Sequence, residues 1–225
     1  MQETWLEVDR FLCDHLALQD PALEKALEDS AAAGLPDIQV TPNQGRMLEL
    51  LARLKGARRI LEIGTLGGYS AIWLARALPE GGRLVTIEAN RRHAEVARRN
   101  LERAGLAEVV EVREGFASQV LPEIEEEGEH FDVVFIDADK RSTPLYFEWA
   151  LRLTETGSLI IVDNVVRGGA VKDALSAQED VQGVRRFFEI LAREPRVRAT
   201  ALQTVGAKGY DGFAIVLVTS AGDPF

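Results

Sequence analysis

Residues 58–70, RRILEIGTLGGYS, carry the clearest structural signal in this chain. A short aliphatic run containing the acid Glu62 breaks into a glycine-rich turn, after which a helix is predicted to begin. A second apolar run, Arg83–Glu88, also ends in an acid. A strand, a glycine turn, a helix and an acid-tipped strand form half of a nucleotide-binding unit, in which the acid binds ribose hydroxyls. The stretch therefore predicts a parallel α/β sheet that binds a ligand containing a nucleoside.

The spacing of the glycines argues against a dinucleotide. The dinucleotide fingerprint is G-x-G-x-x-G, and it places a pyrophosphate on the helix N-terminus. The turn at residues 64–68 reads GTLGG instead, and Glu62 before it would repel a pyrophosphate. An acid there favours a cofactor with a positive centre and an ammonium group, and S-adenosylmethionine (SAM) has both. The alternative is a tight strand-to-helix turn in an unrelated α/β protein, which Glu88 disfavours.

The rest of the chain alternates between predicted strands and helices. Helical periodicity covers residues 3–33, and a further helix ends near Gly56. The predicted strands are Arg59–Ile63, Arg83–Glu88, Val109–Arg113, Phe131–Ile136, Ser158–Val162, Val197–Gln203 and Phe213–Val218. The helices predicted between them are Tyr69–Leu78, Arg91–Arg103, Ala117–Ile124, Thr143–Leu153 and Val181–Arg193, with Asn90 as the N-cap of the second.

These elements predict the fold class. Several central strands are almost continuous apolar runs, as expected when helices cover both faces of a parallel sheet. We predict a doubly wound, mostly parallel seven-stranded sheet that ends in an antiparallel strand pair. The 225 residues, 46% of them hydrophobic, suit a single domain at 1–225, with N-terminal helical additions at 1–55 and a Rossmann-like core at 56–225. Gly206–Gly212 is predicted to be a loop.

Polar residues with side-chain oxygens also follow two later predicted strands. Asp137 follows one of these strands, and Asp163 and Asn164 follow the next. Open α/β sheets bind ligands outside the carboxyl ends of their strands, so these three residues are expected beside the glycine turn. Their oxygen atoms suit Mg²⁺, with Mn²⁺ or Ca²⁺ as alternatives. The competing interpretation is that each aspartate only caps the following helix or turn.

The runs FIDADK at Phe135–Lys140 and VDNV at Val162–Val165 make the chain resemble a known family. It is similar to the cation-dependent O-methyltransferases of the catechol and caffeoyl-CoA type, from about Val40 to Val218. The resemblance implies the class I methyltransferase fold and a homodimer. It also implies methyl transfer from SAM to a hydroxyl oxygen of a small, catechol-like aromatic acceptor.

The resemblance also implies roles for individual residues. The metal ligands would be Asp137, Asp163 and Asn164, and the catalytic residues would be Asp137 and the general base Lys140. The implied cofactor contacts are Val40, Glu62, Gly64, Thr65, Ser70, Glu88, Ala117, Asp137 and Asp139. Arg167 and Gly206–Gly212 fall where the acceptor is expected, and their role stays open: Arg167 is either solvated or meets an anionic group of the acceptor.

Charge and composition bear on the partners. The net charge of −10 disfavours binding to nucleic-acid phosphates. Relatives in the resembled family nevertheless methylate a hydroxylated uridine in tRNA, and Arg91, Arg92, Arg98 and Arg99 form a local basic run. Methylation of tRNA and a non-catalytic SAM-binding role are therefore the alternatives to a small-molecule acceptor.

Three features predict a cytoplasmic protein without a membrane span. The N-terminus is acidic and lacks the pattern of a signal peptide. No apolar run approaches the roughly 20 residues that a spanning helix needs. The single cysteine, Cys13, is consistent with a reducing compartment. The three histidines, His15, His93 and His130, lack metal-ligand spacing and are predicted at the surface.

Overall fold

A computed structural model describes residues 2–16 and 18–220. The strands are β1 (Arg59–Ile63), β2 (Arg83–Glu88), β3 (Val110–Glu114), β4 (Phe131–Ile136), β5 (Thr154–Asp163), β6 (Val197–Gly206) and β7 (Gly209–Val218). The helices are α1 (Gln2–Leu16), α2 (Pro21–Ala32), α3 (Pro42–Lys55), α4 (Tyr69–Ala75), α5 (Arg91–Arg103), α6 (Ala117–Glu126), α7 (Thr143–Arg152) and α8 (Glu179–Leu191). Short 3₁₀ segments cover Lys140–Ser142 and Arg167–Lys172.

The strands form one sheet in the order β3-β2-β1-β4-β5-β7-β6. The first five strands are parallel, and β7 pairs antiparallel with both β5 and β6. From β1 the chain first builds outward through β2 and β3 and then crosses to β4 on the other side. The strand order therefore reverses between β1 and β4, where sheets of this kind bind ligands. The predicted doubly wound sheet with a C-terminal antiparallel pair is confirmed.

Side chains that point alternately to the two faces of the sheet form a hydrophobic core on each face. In β1, Ile60 packs into the cluster that contains Trp73, whereas Leu61 and Ile63 pack into the cluster that contains Phe147. Successive side chains of a strand point to opposite faces, so the apolar run of β1 serves both clusters. Each such side chain, fully buried, contributes about 1.5–3 kcal/mol relative to an exposed one.

Local signals fix several helix ends. Asn90 caps α5 as predicted, because its side-chain oxygen accepts hydrogen bonds from the backbone N–H groups of Arg92 and His93. Thr41 caps α3 by accepting from the N–H of Gln44, and Pro42 follows in the first turn. Gly56 ends α3 in the left-handed conformation, which glycine adopts without a steric penalty.

The prediction of a loop at Gly206–Gly212 is wrong. β6 and β7 continue toward each other until Gly206 pairs with Gly209, so only residues 207–208 turn the chain. Nearly all of β6 is exposed, and its residues lack the apolar alternation of a half-buried strand. The antiparallel backbone pairing, rather than burial, makes this segment a strand.

Helix α1 lies on the outside of the molecule and has no buried residue among those described. Asp9 joins it to the rest of the chain, since its carboxylate accepts hydrogen bonds from the side chain of Asn43 and the N–H of Ala207. Phe11 on this helix is 58% exposed. No described helix is long and apolar enough to cross a membrane.

Candidate functional site

A cavity of about 890 Å³ opens at the carboxyl edge of the parallel strands. Its walls come from the turns after β3, β2, β1, β4 and β5, and residues 38–40 add a further wall. The predicted site residues that line it are Val40, Gly64, Thr65, Ser70, Glu88, Ala117, Asp137, Asp139, Lys140 and Asn164. Glu62 and Asp163 lie behind this wall. The fold therefore brings the two predicted halves of the site into one cavity.

The glycine turn fits tightly against the end of β4. A Cβ on Gly64 would lie 2.1 Å from the carbonyl oxygen of Asp137, and Gly64 has a φ of +99°. Only glycine accommodates both constraints, so the first turn and the Asp137 segment are held at a fixed separation. Glu88 ties the same turn to β2, because its Oε2 accepts hydrogen bonds from the N–H groups of Thr65 at 3.3 Å and Leu66 at 2.8 Å.

His93, predicted at the surface, is half-buried and its side chain is 21% exposed. His93 lines the cavity, and its Nδ1 lies 3.6 Å from Oε1 of Glu88. The same Oε1 accepts a hydrogen bond from the N–H of Asn90 at 2.8 Å. His93 stands in the first turn of α5, directly after the acid-tipped strand, and this place in the sequence was the signal that could have identified it.

Glu62 belongs to a buried hydroxyl network beneath the glycine turn. Its Oε2 accepts a hydrogen bond from the hydroxyl of Thr86 at 2.6 Å, and Thr86 in turn lies 2.5 Å from the hydroxyl of Thr65. The other oxygen, Oε1, is buried and has no hydrogen-bond partner within the described part of the chain. Burial raises the pKa of Glu62 from an ordinary 4.5 to about 8, with the charges of Asp137 and Glu88 adding to the effect. The cofactor contact expected of Glu62 stays a prediction.

Glu62 should make stability depend on pH. Its pKa is higher in the folded state, so the folded chain binds the extra proton and loses stability as pH rises from about 4.5 to about 8. The variant Glu62→Gln keeps the neutral form at every pH. The natural chain should lose stability relative to this variant as pH rises. The difference in their free energies of unfolding should grow in favour of the variant by up to about 1.4 kcal/mol per pH unit in this window.

Thermal unfolding of both proteins between pH 5 and pH 9, without cofactor, measures this difference. The exposed Glu114 provides the control variant Glu114→Gln, which should track the natural chain. Parallel pH profiles for Glu62→Gln and the natural chain would contradict the assignment of a buried, protonated carboxyl.

Asp137, Lys140 and Asp163 meet at the ends of β4 and β5. Lys140 is buried, and its Nζ donates to Oδ1 of Asp137 at 2.7 Å. Asp163 is also buried, and its Oδ1 accepts a hydrogen bond from the N–H of Asn164 at 2.8 Å. Burial and, after it, the charge of Asp137 raise the pKa of Asp163 to about 7, whereas the charge of Lys140 opposes the shift. The predicted adjacency of these strand ends is confirmed by the pairing of β4 with β5.

These residues fit a divalent cation. Two carboxylates on adjacent strands, with the amide of Asn164 beside them, make an all-oxygen donor set. Asp137 and the buried Asp163 repel each other, and a cation held by both would relieve that repulsion. Within the described part of the chain, no group of three or more His, Cys, Asp or Glu residues is arranged to hold a metal.

Asp139 shapes the loop between β4 and α7. Its Oδ1 accepts a hydrogen bond from the N–H of Ser142 at 3.0 Å, which caps the 3₁₀ segment that contains Lys140. Its Oδ2 accepts from the hydroxyl of Tyr146, which also lines the cavity. The cofactor contact expected of Asp139 stays a prediction.

Gly183 supports the site from outside the cavity wall, and sequence reasoning missed it. It lies in α8, and a Cβ there would be 2.2 Å from the carbonyl oxygen of Lys140. Helix α8 can therefore pack directly on the backbone of the Lys140 segment. A glycine inside a helical pattern is a sequence signal for such close packing.

Asp211 is a second residue that was missed. A single oxygen, Oδ1, accepts hydrogen bonds at 2.9–3.0 Å from the N–H groups of Val166, Arg167 and Gly212. The turn after Asn164 is thereby anchored to β7. No local pattern reveals this role, because Asp211 is distant in sequence from the turn that it holds.

The sheet order and the cavity at its switch point define a class I methyltransferase. An O-methyltransferase family model matches residues 14–217. A catechol O-methyltransferase of Niastella koreensis is 51% identical over 212 residues, which cover 94% of this chain and 96% of that protein.

Two solved structures are also similar. An O-methyltransferase from Bacillus cereus in complex with SAH is 57% identical, with a TM-score of 0.96 over 97% of this chain and 100% of that one. The O-methyltransferase TomG from Streptomyces achromogenes, involved in tomaymycin synthesis and solved with SAM, is 53% identical, with a TM-score of 0.95 over 97% and 99%. This chain therefore belongs to the O-methyltransferase family, and the prediction of a SAM-dependent O-methyltransferase is confirmed.

Proposed function

We propose that this chain transfers the methyl group of SAM to a hydroxyl oxygen of a small aromatic acceptor with two adjacent hydroxyls, assisted by a divalent cation. The observation that carries the proposal is the cluster of Asp137, Lys140 and Asp163 at adjacent strand ends in the same cavity as the glycine turn. The relative named a catechol O-methyltransferase supports the acceptor class.

The cofactor would bind at the end of the cavity formed by β1 and β2. Glu88 is the proposed partner of the ribose hydroxyls, since it lines the cavity at the end of β2 and its Oε1, which accepts one backbone hydrogen bond, retains a lone pair. Val40, Gly64, Ser70 and Ala117 line the same space and are proposed contacts.

The acceptor must be ionised and oriented. A phenolic hydroxyl titrates near 10, to judge from tyrosine, and is mostly protonated at neutral pH. Lys140 in its neutral amine form is the proposed base: the lone pair on Nζ takes this proton, and a hydrogen bond from Nζ to Asp137 holds the nitrogen in place. A cation bound by Asp137, Asp163 and Asn164 would supply positive charge that favours the ionised acceptor. The walls of the cavity align the acceptor with the methyl group, which removes an entropic cost.

Methyl transfer from labelled SAM to two isomeric acceptors tests the proposal. Catechol carries its hydroxyls on adjacent carbons, whereas resorcinol carries them one carbon further apart. We expect methylation of catechol with Mg²⁺ present and much slower reaction of resorcinol. Transfer to bulk tRNA but to neither small acceptor would contradict the proposal.

Replacing Glu88 should weaken the binding of SAM. We expect Glu88→Ala to cost about 1.5–3 kcal/mol, the scale of hydrogen bonds to a charged group. Calorimetric titration with SAM measures the loss. Glu88→Gln separates ribose binding from support of the glycine turn. Its amide still has one oxygen that can accept hydrogen bonds from that turn.

Glu114 provides the matched control for this titration. It ends the neighbouring strand β3, pairs with Arg98 and is exposed. Glu114→Ala should bind SAM like the natural chain. Unchanged SAM affinity in Glu88→Ala would refute the assignment.

A further inference from the structure

We propose that Arg167 selects acceptors that carry an anionic group, such as a carboxylate, on the dihydroxy ring. This inference rests on the proposed function and names its substrate class. Arg167 follows Asp163 and Asn164 on the same turn, and its side chain lines the same cavity as Lys140 and Asn164.

The backbone of Arg167 is held in an unusual conformation. Its φ is +55°, in the left-handed region that residues other than glycine rarely adopt. Asp211 stabilises this conformation by accepting hydrogen bonds from the N–H groups of Val166 and Arg167. Strain that the surrounding structure maintains is typical of functional positions. Here the residue in this conformation carries a long cationic side chain and lies in the cavity wall.

The present partner of Arg167 is easily replaced. Nη2 donates to Oδ2 of Asp180 at 3.2 Å, and the side chain of Asp180 is 47% exposed. Exposed ion pairs contribute little net stability, so Asp180 can turn to solvent at low cost. A carboxylate on the acceptor could then bind the planar guanidinium through two parallel hydrogen bonds.

The other basic side chains of the cavity are less suited to this task. Lys140 is bonded to Asp137 within the reaction centre. Arg141 pairs with Glu179, and its side chain is 70% exposed against 28% for Arg167. A charge that is partly shielded from water discriminates more strongly between charged and neutral ligands. Arg167 is therefore the cation best placed to recognise an anionic acceptor.

Three acceptors of similar shape test the inference: 3,4-dihydroxybenzoate, the neutral 3,4-dihydroxybenzamide and the cationic 3,4-dihydroxybenzylamine. We expect the natural enzyme to prefer the acid and to use the amine least. Arg167→Gln should lower kcat/KM for the acid by about 10- to 100-fold, the range of one charge-assisted interaction, mainly through KM. The same variant should leave kcat/KM for the amide little changed. The control is Arg186→Gln on α8, which removes an exposed pair with Glu189 away from the cavity.

A second variant is expected to change kcat/KM for the acid in the opposite direction. Asp180→Asn removes the carboxylate that competes for Arg167, so it should raise kcat/KM for the acid above that of the natural chain. Equal use of acid and amide by the natural enzyme, or equal losses for both in Arg167→Gln, would overturn the inference and leave the proposed function intact. Absence of transfer to all three acceptors would overturn the proposed function and the acceptor class with it.

Discussion

Replacing Lys140 with alanine is expected to lower the turnover number by about 10²–10⁴-fold, the usual contribution of general acid–base catalysis. Lys140 is buried at the end of β4, and its Nζ is held by Asp137 at 2.7 Å. The variant should still bind SAM, because none of the proposed cofactor contacts changes apart from the hydrogen bond to Asp137. Turnover measured between pH 7 and pH 9.5 should recover in part at high pH, where the acceptor ionises without a base.

Two further variants make this result interpretable. Lys140→Arg should rescue turnover poorly, because a guanidinium stays protonated at any usable pH and cannot accept a proton. Lys172→Ala removes an exposed lysine outside the cavity wall and should leave turnover unchanged. Turnover close to that of the natural chain in Lys140→Ala at pH 7 would show that Lys140 only positions the acceptor.

Removing divalent cations is expected to abolish methyl transfer, and adding Mg²⁺ or Mn²⁺ should restore it. Asp163→Asn tests the proposed ligand set without relying on activity. Substitutions that do not touch a metal directly already cost 10–100-fold in affinity, so loss of this carboxylate should weaken Mn²⁺ binding by more than about 100-fold. Calorimetric titration with Mn²⁺ measures the change.

Asp132 offers a matched control for the metal experiment. It lies in β4 near the opposite edge of the sheet, where its carboxylate accepts hydrogen bonds from the N–H groups of Arg58 and Arg59. Asp132→Asn should bind Mn²⁺ as the natural chain does. Full activity in excess chelator, with metal content confirmed near zero, would rule out the assisting cation.

Much of the fold was predictable because its signals are local. β1, β2 and β4 begin and end at the predicted residues, since each is an apolar run bounded by glycine, acids or polar turns. The cap at Asn90 was predictable for the same reason. The adjacency of Asp137 and Asp163 followed from topology, because consecutive parallel strands that are joined by a helix commonly lie side by side.

Tertiary structure alone decided the environment of these residues. The burial of Glu62, the packing of Gly183 on Lys140 and the anchoring of the Arg167 turn by Asp211 all join segments that are distant in sequence. Residue types and their spacing determine which groups are present and which strand end carries them. Packing between distant segments decides which of these groups lose water, lie near another charge or are held under strain. That packing therefore sets their chemistry.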